Sequence, residues 1–176
     1  IQEANYVCKL IEKKNISHMV NYEFVEIDAF RFFKNRILKR NLKINKIDLD
    51  WFVNVRRKSK NSWKEDYATG GGIMFNFVCH AIYYLEFLFG KIISTKSKIS
   101  LGKKNDLNSV VYFKSGLLAK LRVKSVLKNA GIKPIHQLKI KTDRDVYFLR
   151  SKIDRLSNQF EVIKTDKFLF KNKSNN

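Results

Sequence analysis

One segment of the chain, residues 70–90, gathers the side chains that could move a proton. It opens on Gly70, Gly71 and Gly72, carries Asn76 and His80, and closes on Gly90. On a helix, residues four apart share one face, so Asn76 lies beside His80, and Tyr83 and Phe87 continue that stripe. An imidazole exchanges its proton near neutral pH, and an amide beside it can hold a substrate hydroxyl. Glycines ahead of a helix let a backbone or ligand come close, and the first-turn N–H groups are free donors. An amide is not a general base, so His80 is the titrating group of this pair. The competing reading is a hydrogen-bonded core histidine on an apolar helix, with the triple glycine only a loop. The spacing is not the GxGxxG of a dinucleotide fingerprint. Cys79 points about 100° away from its neighbour on a helix, which argues against a Cys/His nucleophile pair.

The elements around that helix follow from apolar spacing. Residues 2–14 read as a helix through Ala4, Val7, Cys8, Leu10 and Ile11, with Asn15 as its stop. Residues 17–22 read as a short buried strand through Met19 and Val20. A second helix over 27–38 turns Phe30, Phe33, Ile37 and Leu38 inward, and Asp28 suits the positive end of its dipole. Residues 43–55 read as a long strand, since Ile47, Leu49, Trp51 and Val53 alternate with Asp48, Asp50 and Asn54. A basic loop at 56–62 and a second loop reaching 69 flank Trp63 and Lys64. Gly90 closes the central helix where a left-handed turn is cheap for glycine.

Beyond Gly90 the period changes to two. Strands are expected over 91–101, 108–114, 117–125 and 135–142, with a tight turn at Ser115 and Gly116. Ala119, Leu121 and Val123 face one way and Lys120, Arg122 and Lys124 the other; Leu138 and Ile140 repeat the pattern. Shorter strands fit 147–149 and 160–163, and the polar tail 171–176 reads as frayed. The sum is α+β: an open, largely antiparallel sheet with helices on one face.

Composition narrows the function classes. The 176 residues are 44% hydrophobic, enough for one domain with a real core. No apolar run reaches the roughly 18 residues of a membrane span. Two cysteines, Cys8 and Cys79, without a CxxC, argue against a disulfide scaffold or a zinc module, and no metal site is expected. With no signal-like opening, they fit a cytoplasmic protein. The net charge of +20 invites a nucleic-acid reading. The lysines are spread along the whole chain, so a solvated basic surface or a polyanionic small substrate fits better, and no nucleic-acid partner is expected.

The glycine, Asn76, His80 and Gly90 pattern resembles the helix of the Gfo/Idh/MocA oxidoreductases. Glu12-Lys13-Lys14-Asn15 followed by His18 to Phe24 looks like the family's last nucleotide-domain helix and strand. Phe30 to Ile37 resembles its linking helix, Trp63-Lys64 its Trp-basic pair, and the strands after Gly90 its C-terminal sheet. The resemblance implies that residues 1–22 end a truncated Rossmann domain. Residues 23–176 would form the substrate-binding and oligomerisation domain, itself cut short at its C-terminus. It implies an NAD(P)-dependent oxidoreductase that moves a hydride at a hydroxyl-bearing carbon of a sugar, sugar nucleotide or cyclitol. His80 would be the acid/base and Asn76 would orient the substrate. Tyr22, Glu23, Lys64 and Tyr83 would line the substrate, and Trp63 and Lys64 would reach the NAD or NADP. Many members carry Asp where Asn76 stands. The family's Glu-Lys-Pro lysine and its glycine-rich cofactor loop are not in this sequence, so the isolated chain is expected to be inactive. A homo-oligomer built through the sheet face is expected as well. His18 and His136, in strand-like runs, read as structural.

Overall fold

Alternation of apolar and charged residues along successive strands decides which face of the sheet is dry. The structure, a computed structural model, describes residues 2–20, 22–40, 42–54, 71–100, 105–126, 133–151, 159–165 and 167–171. Among the described residues eight strands form one sheet: β1 (Ile44–Asn54), β2 (Ile92–Ser100), β3 (Asp106–Phe113), β4 (Leu118–Val126), β5 (Ile135–Thr142), β6 (Val146–Ser151), β7 (Phe160–Lys164) and β8 (Lys167–Lys171). Their order is β2-β3-β4-β1-β5-β6-β7-β8. Only the central β1–β4 pair is parallel among these neighbours; the rest are antiparallel.

Register places the alternating residues in continuous rows. Leu49 stands between Leu121 and Leu138, and Ile47 between Ala119 and Ile140. All six are buried. Trp51 stands between Val123 and His136, which brings an imidazole into the same dry face. The opposite face is charged and held by cross-strand ion pairs. Arg122 grips Asp50 with both arms, at 2.5 and 2.6 Å, and Arg150 meets Glu161 at 2.7 Å.

Helices cover the dry face. Between α2 (Asp28–Phe32) and β1 the chain continues as a π turn, Phe33–Ile37, and a 3-10 turn, Leu38–Arg40. The single helix expected over 27–38 is thus three kinds of turn in series. Of its expected inward residues, Phe30, Phe33 and Ile37 are buried and Leu38 is partly buried against the core; Ala29 is buried as well. A further helix, α3 (Cys79–Phe89), buries Ala81, Tyr84, Leu85, Leu88 and Phe89 in the same core.

The first segment departs from expectation. Helix α1 (Gln2–Lys14) forms and stops at Asn15, which has φ 49°. No strand follows it: residues 17–20 are irregular, with Met19 85% and Val20 68% exposed. A strand needs a ladder partner for its N–H and C=O groups, and residues 17–20 pair with neither edge of this sheet. His18 is accordingly exposed in a connection and not in a strand. Strand β8 is the opposite case, an element that its short, lysine-flanked sequence KFLFK did not announce. No described helix is long and apolar enough to cross a membrane.

Candidate functional site

The helix singled out in the sequence is built in two parts. Gly72 enters it at φ 81°, a backbone state that glycine alone adopts freely. A π turn, Met74–Val78, follows and runs directly into α3. Asn76 lies in that wide turn and His80 in the first turn of α3. Such π turns within helices recur at functional sites, because the extra residue per turn re-aims the side chains that follow. Gly90 ends the helix at φ 89°, ψ −172°, with its N–H donated to the Glu86 carbonyl at 2.9 Å. This is the mirror-extended region and not the left-handed helical one; glycine is required there all the same.

Three of the expected site residues, Tyr22, Tyr83 and His80, come together. The segment before the 3-10 turn Glu23–Glu26 brings Tyr22 onto Tyr83, stacked at 4.5 Å between ring centroids. The same Tyr22 ring meets the His80 imidazole edge-on at 5.2 Å. His80 Nδ1 is buried and has no hydrogen-bond partner among the described residues. A buried nitrogen without a partner costs free energy on the order of 1–3 kcal/mol, so an imidazole held this way calls for a specific reason. Tyr83 keeps 43% of its surface exposed, so an aromatic pair borders this imidazole on the solvent side.

Glu23 stands close enough to act on Cys79. Burial pushes the Cys79 thiol above its ordinary value, backbone N–H groups of His80 and Cys79 pull it back, and the Glu23 carboxylate raises it further. The thiol also donates to the Phe75 carbonyl at 2.8 Å. A protonated, hydrogen-bonded thiol is a poor nucleophile, in keeping with the spacing argument against a Cys/His pair. Trp63, Lys64 and Gly70 lie outside the described residues.

Behind His80 is a ring cluster that only tertiary structure assembles. Phe24, on the 3-10 turn, touches Phe30, Trp51, His80, Tyr84, His136 and Phe160 at centroid distances of 5.3 to 5.9 Å. His136 stacks flat on its cross-strand neighbour Trp51 at 3.9 Å and shares a 2.9 Å hydrogen bond through Nε2 with the Tyr84 hydroxyl. Burial, and secondarily a positive charge at His80, lower the His136 pKa to about 3. It is therefore a neutral core imidazole. The alternation that turns Leu138 and Ile140 inward turns His136 inward too, and that signal was available in the sequence. Tyr84 follows from its place four residues after His80. Nothing in the spacing singles out Phe24.

Comparisons with known proteins agree with this architecture. A family model described as the GFO/IDH/MocA C-terminal domain matches residues 43–133, just over half of the chain. No curated protein matches the sequence. Among solved structures, the biliverdin reductase of Synechocystis sp. PCC 6803, in complex with biliverdin and NADP+, superposes with a TM-score of 0.76 at 10% identity; the match covers 97% of this chain and 54% of that one. An oxidoreductase from Thermotoga maritima gives 0.73 at 14% identity, covering 96% and 51%. The WlbA dehydrogenase of Bordetella pertussis, in complex with NADH and UDP-GlcNAcA, gives 0.71 at 13% identity, covering 85% and 45%. At such identities the likeness is one of fold, and the chain spans about half the length of these structures.

Proposed function

Because the chain belongs to the GFO/IDH/MocA C-terminal domain family, we propose that it is the substrate-binding part of an NAD(P)-dependent oxidoreductase acting on a hydroxyl of a sugar, sugar nucleotide or cyclitol. One observation carries the reading to this chain's own residues: the His80 imidazole, its buried Nδ1 without a partner among the described residues, stands beside the Tyr22–Tyr83 pair. In this reading His80 takes the proton from the reacting hydroxyl, or returns it in the reverse direction. Asn76, four residues earlier, orients that hydroxyl or the imidazole. Tyr22 and Tyr83 offer ring faces against which the apolar C–H face of a sugar can pack. Glu23 would accept hydrogen bonds from further hydroxyls, and Lys64 and Trp63 are proposals from the sequence alone.

The described residues fit the hydroxyl end of such a reaction better than the dinucleotide end. Gly71 and Gly72 ahead of the π turn lack the GxGxxG spacing of a dinucleotide fingerprint, and the described residues include no other glycine-rich turn between a strand and a helix to cradle phosphates. NAD or NADP would accordingly be held mainly by residues outside this chain, and the chemistry supplied by the bound nicotinamide is hydride transfer at the carbinol carbon. Helix α1 accords with a boundary near residue 22. It buries none of its residues, and Tyr6, Val7 and Leu10 stand exposed along it. A cytoplasmic setting belongs to the same proposal.

The gene sequence upstream of Ile1 tests the reading cheaply. A glycine-rich strand–turn–helix followed by Glu-Lys-Pro is expected there. A natural start within a few codons of Ile1 reduces the proposal to one of fold. A second reading, a non-catalytic domain that self-associates, is favoured by the charged outer face of the sheet. There Asp48 and Asp50 lie among Lys120, Arg122 and Lys139 in facing register, so the face offers both signs of charge to a copy of itself. Sedimentation equilibrium at low and high salt separates a monomer from such an assembly.

A further inference from the structure

Histidines that move protons are usually held in orientation by an acceptor on the second ring nitrogen. His80 lacks that device at Nδ1 among the described residues. Its ring is instead met edge-on by two aromatic rings, Tyr22 at 5.2 Å and 81° and Phe24 at 5.6 Å and 74°. We infer that Phe24 is a positioning residue for the site, fixing the plane of the His80 imidazole by packing where a hydrogen bond would ordinarily do so. The inference rests on His80 being the acid/base.

The geometry gives Phe24 the rigidity this task needs. Its ring contacts Trp51 at 5.3 Å and His136 at 5.3 Å. Those two are locked to each other by the 3.9 Å stack and to α3 by the Tyr84 hydrogen bond. Phe24 also lies two residues from Tyr22 on the same short segment, so one anchored ring sets both the imidazole and the platform over it. Phe160 supplies the internal control. It packs on Phe24, Phe30 and His136 at 5.9, 4.9 and 5.1 Å, yet has no ring contact with His80 or Tyr22 among the described residues.

The test compares Phe24→Leu, Phe24→Tyr and Phe160→Leu. In this chain, NMR of the imidazole C–H resonances should show His80 shifted or broadened in Phe24→Leu, restored in Phe24→Tyr, and little changed in Phe160→Leu. In the full-length protein, Phe24→Leu should lower kcat by about 10-fold or more, as a misplaced catalytic group does, with substrate KM within about threefold. Unmoved His80 resonances in Phe24→Leu, or equal effects of Phe24→Leu and Phe160→Leu, overturn the inference. Should Phe24→Leu not fold, the unmodified chain still decides the matter, because proton cross-peaks between the Phe24 and His80 rings are required and their absence is fatal. His80→Ala, run in parallel, separates the two failures. Near-normal turnover there removes the acid/base reading, whereas a lost turnover with an indifferent Phe24→Leu removes only the positioning role.

Discussion

Lowering the pH should destabilise this fold through one buried imidazole. His136 has a pKa of about 3 in the folded chain, from burial first and from a positive charge at His80 second, against an ordinary value of 6.5. Between those values the unfolded chain binds a proton that the folded chain refuses, so stability rises with pH across that window. The contribution is fully present above about pH 6.5 and is lost progressively as pH falls toward 3. Linkage gives a loss of about 2 kcal/mol between pH 8 and pH 5, with a ceiling of about 5 kcal/mol below pH 3. Against the roughly 5–15 kcal/mol total of an ordinary domain, this is a large share. Urea unfolding at several pH values, followed by tryptophan fluorescence, reads it directly. The comparison protein is His136→Gln, which keeps an amide near the Tyr84 hydroxyl and has nothing to titrate. It is less stable at neutral pH, but its stability should fall by about 2 kcal/mol less than the parent's over the same interval. Parallel pH dependence in the two proteins, within about 0.5 kcal/mol, would refute the assignment of His136 as a buried neutral imidazole.

Three further substitutions probe the scaffold that carries the site. Arg150→Ala should cost about 2–4 kcal/mol in chemical denaturation, because the Glu161 carboxylate, with 3% of its side chain exposed, loses the guanidinium 2.7 Å away. Removing Lys124 from Asp106, a half-exposed pair at 3.9 Å, should cost under about 1 kcal/mol. Gly90→Ala should lose about 1–3 kcal/mol by thermal or urea unfolding. The penalty is purely one of backbone strain, since an added Cβ at Gly90 meets nothing within 4 Å while φ stays at 89°.

Much of the sheet was readable because one face is dry. Ile47, Leu49 and Trp51 on β1 and Ala119, Leu121 and Val123 on β4 alternate with charged residues, and a period of two admits only one registration of such a strand. The parallel pairing of those two strands was not readable, since nothing local records which distant segment completes a ladder. Residues 17–20 failed for the complementary reason: their apolar pair suggested burial, but burial depends on a partner. Of the site, the helix that carries His80 was legible, and the structure brings the expected Tyr22 and Tyr83 together beside it. The π turn under Asn76 and the Phe24 ring cluster were not. The ring cluster depends on contacts that bring α2, α3, β1, β5 and β7 together.

The central claim is that His80 carries the proton in a hydride-transfer reaction on a hydroxyl substrate. Steady-state turnover of the full-length protein and its His80→Ala variant, with the sugar-type substrate that proves active and its preferred nicotinamide cofactor, tests it most directly. The expected result is a fall in kcat of about 10²- to 10⁴-fold with substrate KM changed by only a few-fold. Turnover within about threefold of the parent would contradict it and return His80 to the core of the fold as a packing residue.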